Sequence, residues 1–142
     1  MDISIDLLRV IWHELGHLCV SIIEMNEYGK YQVEDVWFEY NPYVVSEEKW
    51  SGAVKSVPSV KIENFIEDEE KISFSLIDLI SGCTFQTFFY NRILNRNVDL
   101  YNCFGIRRNC AGPSDFLFFN EIGKEYRKKF VNSENLTIFD IF

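Results

Sequence analysis

The sequence predicts an α+β, mainly helical domain: one helix near the N-terminus, a small β-sheet and two further helices. Three observations lead there. Gly and Pro together number only 10 of 142 residues, 7 and 3, too few for a many-stranded sandwich. Apolar residues recur with helical spacing over long stretches, and only a short central region alternates as strands do. The apolar fraction, 47% with 13 Phe, supplies a real core and excludes a disordered chain.

The first element is a helix from about Ile5 to Met25. Leu8, Ile11, Trp12, Leu15, Leu18, Cys19 and Ile22 cover one side, while Asp6, Arg9, His13, His17, Ser21 and Glu24 form a single polar stripe. The expected helix is mostly buried. Tyr31 to Tyr40 reads as a strand, and Tyr43 to Val45 and Val57 to Ile62 are expected to add strands across turns at Asn41-Pro42 and Ser51-Gly52. The acidic run Glu63 to Glu70 reads as a solvated loop, and Ser75 and Asp78 have the spacing of a capping box for a second helix ending near Leu94. Phe74, Ile77, Phe85, Phe88 and Phe89 are expected to point inward there, and Gly82 in its middle hints at close packing. Pro113, Ser114 and Asp115 open a third helix that ends near Phe130 in the basic turn Arg127-Lys128-Lys129. The apolar tail Leu136 to Phe142 is expected to dock on the body or on a partner.

No repeat or linker divides the chain, so residues 1–142 are read as a single domain. A net charge of −8 repels phosphate backbones, which argues against a nucleic-acid partner. The apolar stretch from Ile3 to Met25 is interrupted by Asp6, Arg9, His13, Glu14 and His17, and no membrane span is expected. Cys19, Cys83, Cys103 and Cys110 contain no CxxC pair and read as reduced thiols of a cytoplasmic protein.

The residues that carry chemistry are His13-Glu14-Leu15-Gly16-His17. Four residues apart on a helix, the two imidazoles lie on one face, one turn apart, and both reach a single Zn²⁺. Glu14 sits beside them as the general base for water attacking a peptide carbonyl, so hydrolysis needs no Ser or Cys nucleophile. These are the only two histidines in the chain. Random placement gives this spacing with Glu after the first in on the order of one case in a thousand. A catalytic zinc takes a third side chain and leaves one position open. Asp115, Glu121, Asp78 and Asp99 all qualify by residue type, with a helix-capping role as the plainer reading of Asp115. Cys103 and Cys110 are soft alternatives with weak spacing.

His13-Glu-Leu-Gly-His17, the later helix around Gly82 and the stretch Gly112-Pro-Ser-Asp115 together resemble the peptidase domain of FtsH-type ATP-dependent zinc metalloproteases. That family reads HEAGH at the first position and ends the third in Asp. The resemblance implies a zincin-like metallopeptidase fold, zinc held by His13, His17 and Asp115, and Glu14 as base. It differs at Leu15, lacks the family's Ala-Glu pair after Gly82, and has no ATPase module. The implied substrates are therefore peptides or unfolded proteins, delivered where necessary by a separate unfoldase or regulatory partner. The HELGH spelling also resembles ImmA/IrrE-type regulatory peptidases, whose third ligand is a Glu on a following helix; Asp78 is the nearest stand-in. A catalytically inactive scaffold that serves as an interaction module is the alternative from outside the enzymes.

Overall fold

The computed structural model describes residues 4–28, 31–58, 69–100 and 113–131. Helix α1 (Ile5–Tyr28) is followed by strands β1 (Tyr31–Tyr40) and β2 (Trp50–Pro58). Helix α2 (Glu69–Phe88) runs on into a π-helical turn, Phe89–Ile93, and α3 (Pro113–Tyr126) into another, Arg127–Val131. The architecture is mainly helical α+β, with three helices and a two-stranded antiparallel sheet.

Ser4 caps α1: its Oγ accepts the Leu7 N–H at 3.1 Å and its carbonyl accepts the Leu8 N–H. The helix extends three residues beyond the expected Met25. Burial around it is the reverse of a simple amphipathic helix. His13, Ser21 and Glu24 of the polar stripe are buried, as is Glu14 next to it, whereas Leu15, Ile22, Ile23 and Met25 are exposed, so the apolar side is less covered than its composition suggests. The stripe is inward because α2 and the sheet offer it polar partners. At its start, Asp6 Oδ2 accepts the backbone N–H groups of Lys49 and Trp50 at 2.7 and 2.9 Å, and Arg9 pairs with Asp6 at 3.0 Å. Helix α1 thus pins the beginning of β2 by charge-assisted hydrogen bonds.

That anchor explains two corrections to the expected sheet. Ser51-Gly52 is not a turn but lies within β2, in the register Tyr40↔Trp50, Phe38↔Gly52 and Val36↔Val54. Tyr43 to Val45 is not a strand either. It belongs to the hairpin loop, where Asn41 Oδ1 accepts the Tyr43 N–H at 3.0 Å and the Asn41 N–H bonds the Lys49 carbonyl. An Asx turn of this kind turns the chain with a side chain instead of with glycine. Val57 and Pro58 end β2, and the rest of the expected strand to Ile62 lies outside the described residues.

Helix α2 begins at Glu69, so Ser75 lies in its interior and is no cap. Glu69 belongs to its first turn, where an acidic side chain complements the helix dipole. The part of the acidic run before Glu69 lies outside the described residues. Ile77 and Phe88 are 36% and 49% exposed instead of pointing inward; Phe89 is buried as expected, and stacks on Trp12 with centroids 6.0 Å apart. Past the π turn, Asn95 takes a left-handed conformation with φ 51°, and the Asn91 amide clasps Val98 through both its N–H and its carbonyl. Asn tolerates that conformation and ends the helix there.

The core lies between α2 and α3. Ile72, Leu76, Cys83, Phe119 and Tyr126 are buried together, with Leu79, Ile80, Phe116 and Ile122 packed around them. The segment Ile72–Ile93 is long and apolar enough, by length and composition, to cross a membrane. Within this fold its apolar side chains supply that core. Cys103, Cys110 and the tail Leu136 to Phe142 lie outside the described residues.

Candidate metal centre

Helical spacing sets His13 above His17 on the buried stripe of α1, and their Nε2 atoms face each other at 3.2 Å. Pro113 opens α3, and Asp115 in its first turn reaches the same point. Its Oδ2 is 3.7 Å from His13 Nε2 and 3.8 Å from His17 Nε2. The structure therefore brings together all three residues that the family resemblance implies as ligands, with donor atoms within 4.8 Å of one another. Separations of 3.2, 3.7 and 3.8 Å are of the order found between donors that share one ion, each at about 2.0–2.2 Å from it. Three lone-pair donors converging this closely repel unless a proton or a cation sits among them.

Space for an ion exists because Gly82 has no side chain. A Cβ there would lie 2.5 Å from His17 Nε2 and 2.6 Å from His13 Nε2. Gly16 plays the complementary part on α1, since a Cβ at that position would run into the Ser81 carbonyl. The two helices thus meet backbone to backbone beside the imidazoles.

The outer ring nitrogens are also held. His17 Nδ1 lies 3.3 Å from Asp78 Oδ1, and His13 Nδ1 lies 3.2 Å from Gln86 Oε1. Ser81 Oγ donates to the Asp78 carbonyl and approaches His17 Nδ1 at 3.5 Å. An oxygen that accepts an N–H at Nδ1 is compatible with the tautomer in which Nε2 carries no proton. Asp78, an alternative third ligand in the sequence, sits behind His17 and not among the converging atoms; Asp99 and Glu121 are exposed and outside the cluster. Cys19 and Cys83 are not among the converging groups.

Glu14 is buried next to the cluster. Burial pushes its carboxyl pKa up, while His13, His17 and the Val54 backbone N–H push it down, and the net direction is upward. Burial disfavours the charged form of His17, but the hydrogen bond and charge of Asp78, with Asp115 and Glu14, outweigh it and raise its pKa. Protons and metal therefore compete for His17.

Seven residues beyond His17, Glu24 occupies the same stripe. Burial and the charge of Asp78 push it from 4.5 to about 7. Between those values the folded chain holds more protons than the unfolded chain, so this group's contribution to stability is greatest below pH 4.5 and falls as pH rises to 7. Glu24→Gln should flatten that slope and raise stability at pH 8 by ~1–2 kcal/mol, after a discount for solvent screening. Urea unfolding at several pH values measures it; an unchanged slope would mean that Glu24 is ionised in the folded protein throughout.

Comparison with protein-family models finds no match, and comparisons with curated proteins and with solved structures find none either.

Proposed function

We propose that this chain is a zinc-dependent metallopeptidase that hydrolyses peptide bonds in flexible or unfolded polypeptides. The observation that supports this most directly is the convergence of His13, His17 and Asp115 beside a buried Glu14 that is not one of the converging groups. Two neutral imidazoles and one carboxylate are the donor set of a catalytic zinc, and three protein ligands leave a position for the reactants. Zinc, when bound, supplies a Lewis acid that polarises the scissile carbonyl and acidifies the attacking water. His13, His17 and Asp115 would hold it. Glu14 takes the proton of the attacking water and returns it to the leaving amine, and its burial gives the carboxylate the higher basicity this requires. Asp78 and Gln86 keep the imidazole rings in orientation.

The resemblance of the HELGH helix, the Gly82 helix and the Asp115 turn to the FtsH-type peptidase domain supports the same reading. A folded substrate would first have to be unfolded to reach such a site as an extended chain.

The test begins with metal analysis of untagged protein purified without added zinc. One zinc per chain is expected, lost in the His13→Ala, His17→Ala double variant. Chelator-sensitive cleavage of unfolded casein or of a peptide library should accompany it. Stoichiometric zinc surviving in the double variant would remove this site from the proposal. Zinc-loaded protein that cleaves nothing would favour an inactive scaffold.

A further inference from the structure

Helix α2 carries Asp78, Gly82 and Gln86 at successive intervals of four on one face, and Tyr90 follows in the π-helical turn. Gly82 makes room for the imidazoles and Asp78 holds His17. The other two form a chain of their own. Gln86 is fully buried, at 0% exposure, with Oε1 3.2 Å from His13 Nδ1 and its Nε2 donating to the Tyr90 hydroxyl at 3.0 Å. Tyr90 in turn lies beneath the Arg96 guanidinium, 5.3 Å from its ring centroid.

We infer that Gln86, oriented by Tyr90, is a positioning residue that selects the Nδ1–H tautomer of His13 and so presents its Nε2 lone pair to the metal centre. This rests on the zinc reading above. An amide has two faces, and only one serves this purpose. With the oxygen toward His13, Nδ1 must carry the proton. With the NH₂ group toward His13, Nδ1 must accept, and the proton moves to Nε2, where it points at His17 Nε2 3.2 Å away and blocks the site. In the productive orientation the amide N–H donates to the Tyr90 hydroxyl oxygen, whereas the reverse orientation would require that hydroxyl to donate instead.

The two histidines are therefore supported differently, His17 by a carboxylate and His13 by a neutral amide. Charge explains the asymmetry. Glu14, Asp78 and Asp115 already place three carboxyl groups around the pair, and a fourth at the fully buried position 86 would be ionised at a large desolvation cost. Gln86 gives the same acceptor geometry without that charge.

The tautomer is read directly from ¹⁵N NMR of the imidazoles in metal-free protein at pH 8.5, independently of any peptidase activity. Wild-type His13 is expected as Nδ1–H. Gln86→Leu should convert a large share of it to Nε2–H and weaken zinc binding about 10- to 100-fold in a chelator competition. Tyr90→Phe removes one hydroxyl from a side chain that keeps its ring, so it serves if Gln86→Leu fails to fold; it should shift the tautomer in the same direction by a smaller amount. An Nε2–H His13 in the wild type would overturn the assignment, and so would an Nδ1–H population unchanged in both Gln86→Leu and Tyr90→Phe. If the tautomer shifts as expected but no substrate is cleaved, the positioning role stands and the peptidase reading falls.

Discussion

Replacing Gly82 with Ala is expected to abolish tight zinc binding while leaving a folded protein. The added methyl carbon would stand 2.5 Å from one ligand nitrogen and 2.6 Å from the other, inside the contact distance of any carbon with nitrogen and within the space the ion itself requires. Retreat of one helix from the other would give up the close backbone packing of Gly16 on Ser81 and Gly82 and the stacking of Trp12 on Phe89. The rings must turn away instead, which breaks the hydrogen bonds to Gln86 and Asp78. Affinity should fall by roughly three orders of magnitude or more, because two ligands are lost together. The apolar core between α2 and α3 does not include Gly82, and Ala favours a helix over Gly by ~1 kcal/mol, so the circular dichroism of the metal-free variant should stay close to that of the wild type. Thr84→Ala, at an exposed position on the same helix, controls for substitution itself. Tight, stoichiometric zinc in Gly82→Ala would place the metal somewhere other than between these imidazoles.

How the sequence encodes this site is visible in the same helix. The HExxH spacing announces two imidazoles on one face, because helical geometry alone sets their relation. Asp115 was one of four acidic residues that sequence left open, since joining it to the pair requires the packing of α3 on α2, and only the family resemblance singled it out. Asp78 and Gln86 as ring partners were missed, although their positions four residues either side of Gly82 placed all three on one face of α2. Gly82 signals a close approach in the sequence without naming its target, which in the structure is the pair of imidazoles. The fold class was legible from composition and periodicity, and β1 from its alternation. The sheet partner was not. Its position depends on the Asp6 carboxylate meeting the Lys49 and Trp50 amides, a contact across more than forty residues that no local pattern records. The exposed Ile77 and Phe88 fail for the related reason that α2 serves the polar stripe of α1 on one side and the α3 core on another, so a single inward face cannot be assigned from periodicity.

Glu14→Gln should keep the zinc and lose the reaction. Glu14 is absent from the set of converging donors, so removing its charge takes no ligand from the metal. Gln is nearly isosteric, and its amide oxygen can still accept the Val54 backbone N–H that Glu14 accepts, so β2 keeps its place over α1. What disappears is basicity. An amide cannot take the proton of the attacking water or hand it to the leaving amine, and general acid–base contributions of this kind are worth about 10²–10⁴ in rate. A fall in kcat of that size, with zinc content at one per chain, is therefore the expected result. The same substitution also removes a desolvated carboxylate, so the metal-free variant should be no less stable than the wild type. Cleavage of an unfolded protein by wild type and variant, each with measured zinc content, decides the matter. Equal turnover would exclude Glu14 as the base. A variant that loses its zinc together with its activity would instead make Glu14 part of the binding site, and the division of labour between three holding groups and one proton-transfer group would fail.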